Sequence, residues 1–369
     1  MYVNDTYIHT YMIRGYYYYY YYYCAHKKEK KLILLCVGLV SVIMVYYYVG
    51  LSSLGRSDNV DWSKIDAGDC VDSYCVPSAV MIGCQKCGST ALANLLLMHP
   101  QVRGRTGGNA FSVSRFKHDF WSRTFRRERV SFQSYVQQNA FLLRAEDRHR
   151  GTITFEKSPD YIASEKAAEE MKDSMPSVKL LAILRNPVRR AYSAFMWQCN
   201  KGRVVQRDNR VMTQKSIWTD ISPYINPFSD SYSSSSNQMC TPELFDKYLE
   251  TAELKRYKLM DSVIGKGMYA IQLRQWMSHF DKSQFHIVLL EQFSSDPRQV
   301  MNELLNFLNL ESWNESDLEL SNEQLNRGKY RKPMSESAQT ILRSVYKDSI
   351  SELSEMFPEI DFQKWWSYY

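Results

Sequence analysis

The segment Gly83-Cys84-Gln85-Lys86-Cys87-Gly88-Ser89-Thr90 places a lysine and two hydroxyl side chains among glycines, between an apolar run and a helix-forming stretch. A loop between strand and helix can turn its backbone N–H groups toward an anion, and the helix N-terminus adds the positive end of its dipole. Ser89 and Thr90 can bond that anion or cap the helix; an ordinary strand–turn–helix with a capping hydroxyl has the same outline. Nucleotide kinases use the loop G-x-x-x-x-G-K-S/T. Gly83 and Gly88 keep that separation, but Ser89 stands at the lysine position and the lysine is Lys86. Such a loop lacks the cation for a β/γ-phosphate pair. A lysine placed earlier can instead meet the 5′ end of a nucleotide with a shorter phosphate chain. Arg185 closes the apolar run KLLAIL, where a guanidinium can fork onto a phosphate. Pro187 suits the first position of the helix that follows.

These residues need strands that end beside one another. Residues 79–82, 152–155, 179–184 and 285–290 are short apolar runs that read as buried strands. Residues 90–98 (TALANLLLM), 187–198 and 297–308 have helical spacing. Strands alternating with helices predict an α/β fold: a P-loop-like central parallel sheet flanked by helices. Residues 204–241 are polar and rich in Ser and Asn, and are expected to form a long surface excursion. No internal repeats are evident.

With those motifs in place, the chain resembles the Golgi carbohydrate sulfotransferases, whose fold is this sheet. QKCGSTALANLLLMHP (85–100) is similar to the family's 5′-phosphosulfate loop, with its K-x-G-T/S-T/S core. KLLAILRNPVRRAYSAF (179–195) is similar to its 3′-phosphate motif, an Arg at a strand end with a Ser on the next helix. FEKSPDY (155–161) resembles the E-K-S/T-x-x-Y block of heparan sulfate N- and 3-O-sulfotransferases. GMYAIQLRQWMSHFDKSQFHIVLLEQF (267–293) resembles a G-x-Y-x-x-x-L-x-x-W stretch, and NRGKY (326–330) loosely resembles a basic loop that closes over the donor. Cys87 stands where many members carry Thr, Gly or Ser, although chondroitin-type members include a K-C-G-T variant.

The resemblance implies a sulfuryl donor, PAPS (3′-phosphoadenosine 5′-phosphosulfate), and no metal. Lys86, Cys87, Gly88, Ser89 and Thr90 would hold its 5′ end, with Lys86 also the cation of the leaving group. Arg185 and Ser193 would hold the 3′-phosphate, and Arg327 and Lys329 would close the site. Glu156 would be the general base for an acceptor hydroxyl; a structural ion pair is the other reading of that carboxylate. Lys157 would lie near sulfate or acceptor. The expected acceptor is an anionic glycan of the heparan or the chondroitin/dermatan type, with no nucleic-acid partner. Basic residues crowd between Arg103 and Arg129, a stretch that could steer such a glycan or simply be a solvated face. Two rival readings are a nucleotide kinase-like enzyme, against which the displaced lysine argues, and a non-catalytic glycan-binding membrane protein on this fold, against which the joint presence of Lys86, Glu156, Arg185 and Ser193 argues.

The rest of the chain bears on its address. It has 369 residues, 44% of them hydrophobic, with a formal net charge of +6, enough for one sizeable core. Residues 1–31 include an unbroken tyrosine run, 16–23, and a lysine cluster, 27–31. Residues 32–51 carry no charge and, as a helix, would span about 30 Å, the thickness of a bilayer core. Positive charge before the span predicts a type II signal anchor, with a cleaved signal peptide as the other reading, then a luminal stem over 52–76; the resemblance implies the Golgi membrane and a sulfotransferase domain over 77–369. Asn314-Glu315-Ser316 is a glycosylation sequon, consistent with a luminal address. In that oxidising setting Cys199 with Cys240, and Cys70 with Cys75, are candidate disulfides. Cys84 and Cys87 form C-x-x-C with no second ligand pair of the kind zinc takes.

Overall fold

The computed structural model describes residues 61, 64–71, 74–104, 132, 136, 151–202, 204–207, 210–213, 240–251, 262–313 and 332–366. Arg327, Lys329, the sequon, the apolar run at 32–51 and the basic residues beyond Arg103 lie outside them. Among the described residues no helix is long and apolar enough to cross a membrane.

The strands are β1 (Cys70–Val71), β2 (Tyr74–Cys75), β3 (Ala79–Gly83), β4 (Val102–Arg103), β5 (Ile153–Lys157), β6 (Lys179–Leu184), β7 (Val204–Arg207), β8 (Arg210–Thr213) and β9 (Phe285–Leu289). The helices are α1 (Ser89–Leu97), α2 (Glu165–Ser174), α3 (Pro187–Asn200), α4 (Pro242–Thr251), α5 (Tyr269–Met277), α6 (Leu290–Ser295), α7 (Pro297–Leu308), α8 (Glu336–Met356) and α9 (Phe362–Trp366). Five strands form one sheet in the order β4-β5-β3-β6-β9, with every neighbouring pair parallel. This is the expected α/β architecture. β3 and β6 are near-continuous apolar runs because helices cover both faces of such a sheet.

The order also sets where a ligand can sit. From the central β3 the chain builds outward to β4 and β5 on one side, then crosses to β6 and β9 on the other. The connections after β3 and β6 therefore leave adjacent strand ends, the crevice where open α/β sheets bind ligands.

Side chains fix several helix starts. Asn186 accepts hydrogen bonds from the amides of Val188 (3.0 Å) and Arg189 (3.4 Å), and Pro187 opens α3. Ser164, Asp296 and Ser335 cap α2, α7 and α8 in the same way. A second apolar cluster, including Phe195, Phe245, Leu342 and Tyr346, joins α3, α4 and α8 away from the sheet.

Two expectations change in detail. The excursion after α3 begins with an antiparallel pair, β7 with β8, in register Val204↔Thr213, which its polar composition did not signal. The Cys199–Cys240 disulfide closes that excursion at its base. Part of the segment read as a stem lies against the core. Ile65 and Ala67 pack on it, the Ser177 amide donates to Asp66 at 3.1 Å, and the Cys70–Cys75 disulfide ties the β1–β2 hairpin.

Candidate active site

The loop after β3 is held in an uncommon shape. Gly88 has φ of +84°, and a Cβ there would lie 2.6 Å from Leu290 Cδ1. Lys86 has φ of +70°, a left-handed conformation that costs a lysine on the order of 1 kcal/mol. Below the loop, Cys84 and Cys87 form a disulfide, both buried, with the Tyr269 hydroxyl 3.6 Å from each sulfur. The same hydroxyl donates to the Arg185 carbonyl at 2.9 Å. No side chain caps α1, because its N-cap is Gly88. The first-turn amides of any helix lack intrahelical acceptors, so this end is open to an anion.

Two cations meet at the loop. Arg185, at the end of β6, donates from Nη1 to the Lys86 carbonyl at 3.3 Å. Burial, and then the Arg185 charge, hold the Lys86 ammonium below the ordinary lysine pKa. The ammonium lies 5.6 Å from the ring centre of Trp197 on α3. Ser193 is one turn before Trp197 on that helix, so the two share a face, and Ser193 is itself buried.

β5 adds the next pair. Glu156 and Lys157 end the strand in register with Val80 and Met81 of β3. Lys157 Nζ donates to Thr90 Oγ1 at 2.9 Å, which ties β5 to the first turn of α1. Burial lowers its pKa to about 8. Glu156 Oε1 accepts from the Tyr161 hydroxyl at 2.8 Å. Successive strand residues face opposite sides of the sheet, so Glu156 and Lys157 leave β5 on different faces.

The structure thus joins Lys86 to Arg185 and Lys157 to Thr90 through direct contacts, with Gly88 and Ser89 at the head of α1. Glu156 is placed by its strand and by Tyr161. Cys87 contributes shape rather than a ligand group: its sulfur is bonded to Cys84 and its amide donates to the Cys84 carbonyl at 3.3 Å. Arg327 and Lys329 fall outside the described residues. Several residues without an assigned role also support the site. Tyr161, Tyr269 and Trp197 touch its members, and all three lay inside or just beyond the motif blocks. Glu291 accepts from the Asn186 amide at 3.0 Å and from Trp366 Nε1 at 3.1 Å, while Asn186 Nδ2 donates to the Trp366 carbonyl at 3.2 Å. The turn after Arg185 is therefore held by α6 and by the last described helix.

The chain is 25% identical over 236 residues to a bifunctional heparan sulfate N-deacetylase/N-sulfotransferase 1 from Caenorhabditis briggsae, covering 64% of this chain and 23% of that protein. It is 24% identical over 333 residues to human carbohydrate sulfotransferase 15, covering 78% of this chain and 54% of the relative. The chain thus spans from about a quarter to about half the length of these relatives. A solved sulfotransferase from Alicyclobacillus acidocaldarius aligns over 78% of this chain and 98% of its own, with 21% identity and a TM-score of 0.46. The family model described as the sulfotransferase domain matches residues 77–365, which include every strand of the parallel sheet, and the chain belongs to that family.

Proposed function

We propose that the chain is a PAPS-dependent sulfotransferase that transfers a sulfuryl group to a hydroxyl or amine of a glycosaminoglycan or related glycan. The observation that carries this reading is the contact between Arg185 and the Lys86 loop, which makes one electropositive crevice at the bare N-terminus of α1. A ligand with anionic groups at two positions fits that crevice. When bound, PAPS supplies the sulfuryl group and the adenosine 3′,5′-bisphosphate (PAP) leaving group.

The chain's own residues then have separable tasks. The amides and hydroxyls of Ser89 and Thr90 bind the 5′ end. Lys86 stabilises charge that develops on the leaving oxygen. Arg185, with Ser193 on α3, recognises the 3′-phosphate, which separates this donor from ATP. Lys157, fixed on Thr90, adds a second cation at the reacting end. Glu156 takes the acceptor's proton, with Tyr161 orienting its carboxylate.

The relatives named for heparan sulfate and for carbohydrate sulfation support a glycosaminoglycan acceptor. Anchoring by residues 32–51, with the catalytic domain in the Golgi lumen, remains part of the proposal and rests on the uncharged run and the lysines before it. The deciding experiment incubates the protein with labelled PAPS, or with labelled ATP, and a panel of desulfated heparan, chondroitin and dermatan chains. Label from PAPS in one class of product disaccharide is expected. Transfer of phosphate from ATP, or binding of glycan with no transfer, would replace this reading by one of its two rivals.

A further inference from the structure

Three consecutive carbonyls are each held by a buried side chain from a different helix. Arg190 of α3 donates from Nη2 to the Val263 carbonyl. The Tyr346 hydroxyl of α8 donates to the Ile264 carbonyl at 2.8 Å. Gln272 of α5 donates from Nε2 to the Gly265 carbonyl at 3.0 Å. All three side chains are fully buried. The carbonyls belong to a tight turn that continues through Gly265–Gly267, a single 3₁₀ turn. A Cβ on Gly267 would lie 2.8 Å from the Tyr346 ring, so the turn sits flush against α8. Main chain held at three adjacent acceptors has little freedom to move, and the next side chain along is therefore aimed.

That side chain is Lys266. It is buried, and its ammonium pairs with Asp160. Asp160 belongs to the short turn between Glu156 and Tyr161. The Ser158 amide donates to the Met81 carbonyl of β3 at 2.9 Å, and the Tyr161 amide donates to the Ser158 carbonyl at 3.1 Å. Tyr161 in turn bonds Glu156. A chain of contacts thus runs from the clamped turn through Lys266, Asp160 and Tyr161 to Glu156. Such a largely buried pair gains little net stability over an apolar one, but removing either partner leaves an uncompensated charge. Such a pair suits a part that must be placed rather than merely held.

We propose that Lys266 is a positioning residue for the Glu156 carboxylate, acting through Asp160 and Tyr161. The inference rests on the reading of Glu156 as general base, and its test is chosen to fail separately. Hydrogen exchange of the peptides covering residues 155–163 is compared in the wild type, Lys266→Met, Asp160→Asn and the double variant. Each single variant should exchange faster there, with the peptides of β3 and α1 unchanged and PAP affinity by calorimetry within about twofold of wild type. Turnover with N-desulfated heparan sulfate or chondroitin 4-sulfate should fall by about tenfold to a hundredfold with the donor KM unchanged, as misplacement of a reacting group predicts. The double variant removes the uncompensated buried charge, so it should regain thermal stability while exchange stays fast and turnover stays low. Lys266→Arg should restore part of both. Unchanged exchange over 155–163 in Lys266→Met overturns the proposal. So does loss of PAP binding, which would make Lys266 a residue of the fold at large. Glu156→Gln is measured alongside: full turnover in that variant removes the base reading, whatever the exchange data show.

Discussion

Arg185 Nη1 donates to the main-chain carbonyl of Lys86 at 3.3 Å, across a sequence separation of 99 residues. One contact therefore joins the end of β6 to the loop after β3. It places two cations side by side with an open helix N-terminus beneath them. Like charges held together repel, and the lowered pKa of Lys86 reflects this after burial. An anion between them would relieve that repulsion.

If Arg185 reads the 3′-phosphate, Arg185→Ala should weaken PAP by about 2 kcal/mol, within the range for a hydrogen bond to a charged group. The affinity for AMP, which lacks that phosphate, should change far less. Calorimetry with both ligands checks this; equal losses would mean that Arg185 acts only by shaping the Lys86 loop.

Lys86 holds a left-handed backbone and a partly buried charge, both unfavourable for the fold. Lys86→Gly should therefore fold with a thermal midpoint no lower than wild type, while kcat falls by about a hundredfold to a thousandfold, the range for losing a charge-stabilising donor. Differential scanning calorimetry and steady-state kinetics on one preparation test the two halves together.

The Lys157 pKa of about 8 gives a pH dependence with a definite sign. Below that value the ammonium is present and attracts an anionic donor; as pH rises through it the charge is lost. PAP affinity should weaken above pH 8, and binding at that pH should take up protons, because the bound anion favours the charged form. Lys157→Met should lower affinity at neutral pH and flatten the profile there. Titrations in buffers of different ionisation enthalpy measure the proton uptake.

Glu156→Gln should lower kcat by about a hundredfold to ten-thousandfold, the span of general base catalysis, with PAP affinity unchanged. Tyr161→Phe removes only the hydroxyl that bonds the carboxylate, so a smaller loss, about tenfold, is expected. A Tyr161→Phe effect as large as that of Glu156→Gln would assign the tyrosine a direct part in the chemistry.

Gly88→Ala should lower stability by about 1–2 kcal/mol, the cost of a left-handed non-glycine residue. PAP binding should fall with it, because the added Cβ meets Leu290 at the head of α1. Thermal melts with and without PAP separate the two effects.

Much of this protein is written locally. Residues 179–184 form a strand with the bounds their apolar run predicts, and α7 starts at Pro297 and ends at Leu308 as its spacing requires. Those elements depend on side-chain periodicity and on proline geometry, which a short window of sequence contains. The Gly83–Thr90 loop, the Arg185 turn and the E-K-S-P-D-Y block could also be picked out, because each is a contiguous set of chemical types. Other features depend on which elements pack together. Parallel neighbours have no local code: any buried apolar strand could sit beside β3, and only the covering of both faces selects β5 and β6. That selection brings Lys86 to Arg185, Lys157 to Thr90, and Lys266 to Asp160. The spacing of Cys84 and Cys87 suggested redox or metal chemistry, with zinc disfavoured for want of a second ligand pair; the fold pairs the two as a buried disulfide beside Tyr269. Residue types thus named the candidate groups, whereas the contacts of Lys86 with Arg185 and of Lys157 with Thr90 came from long-range packing, which no short stretch of chain encodes.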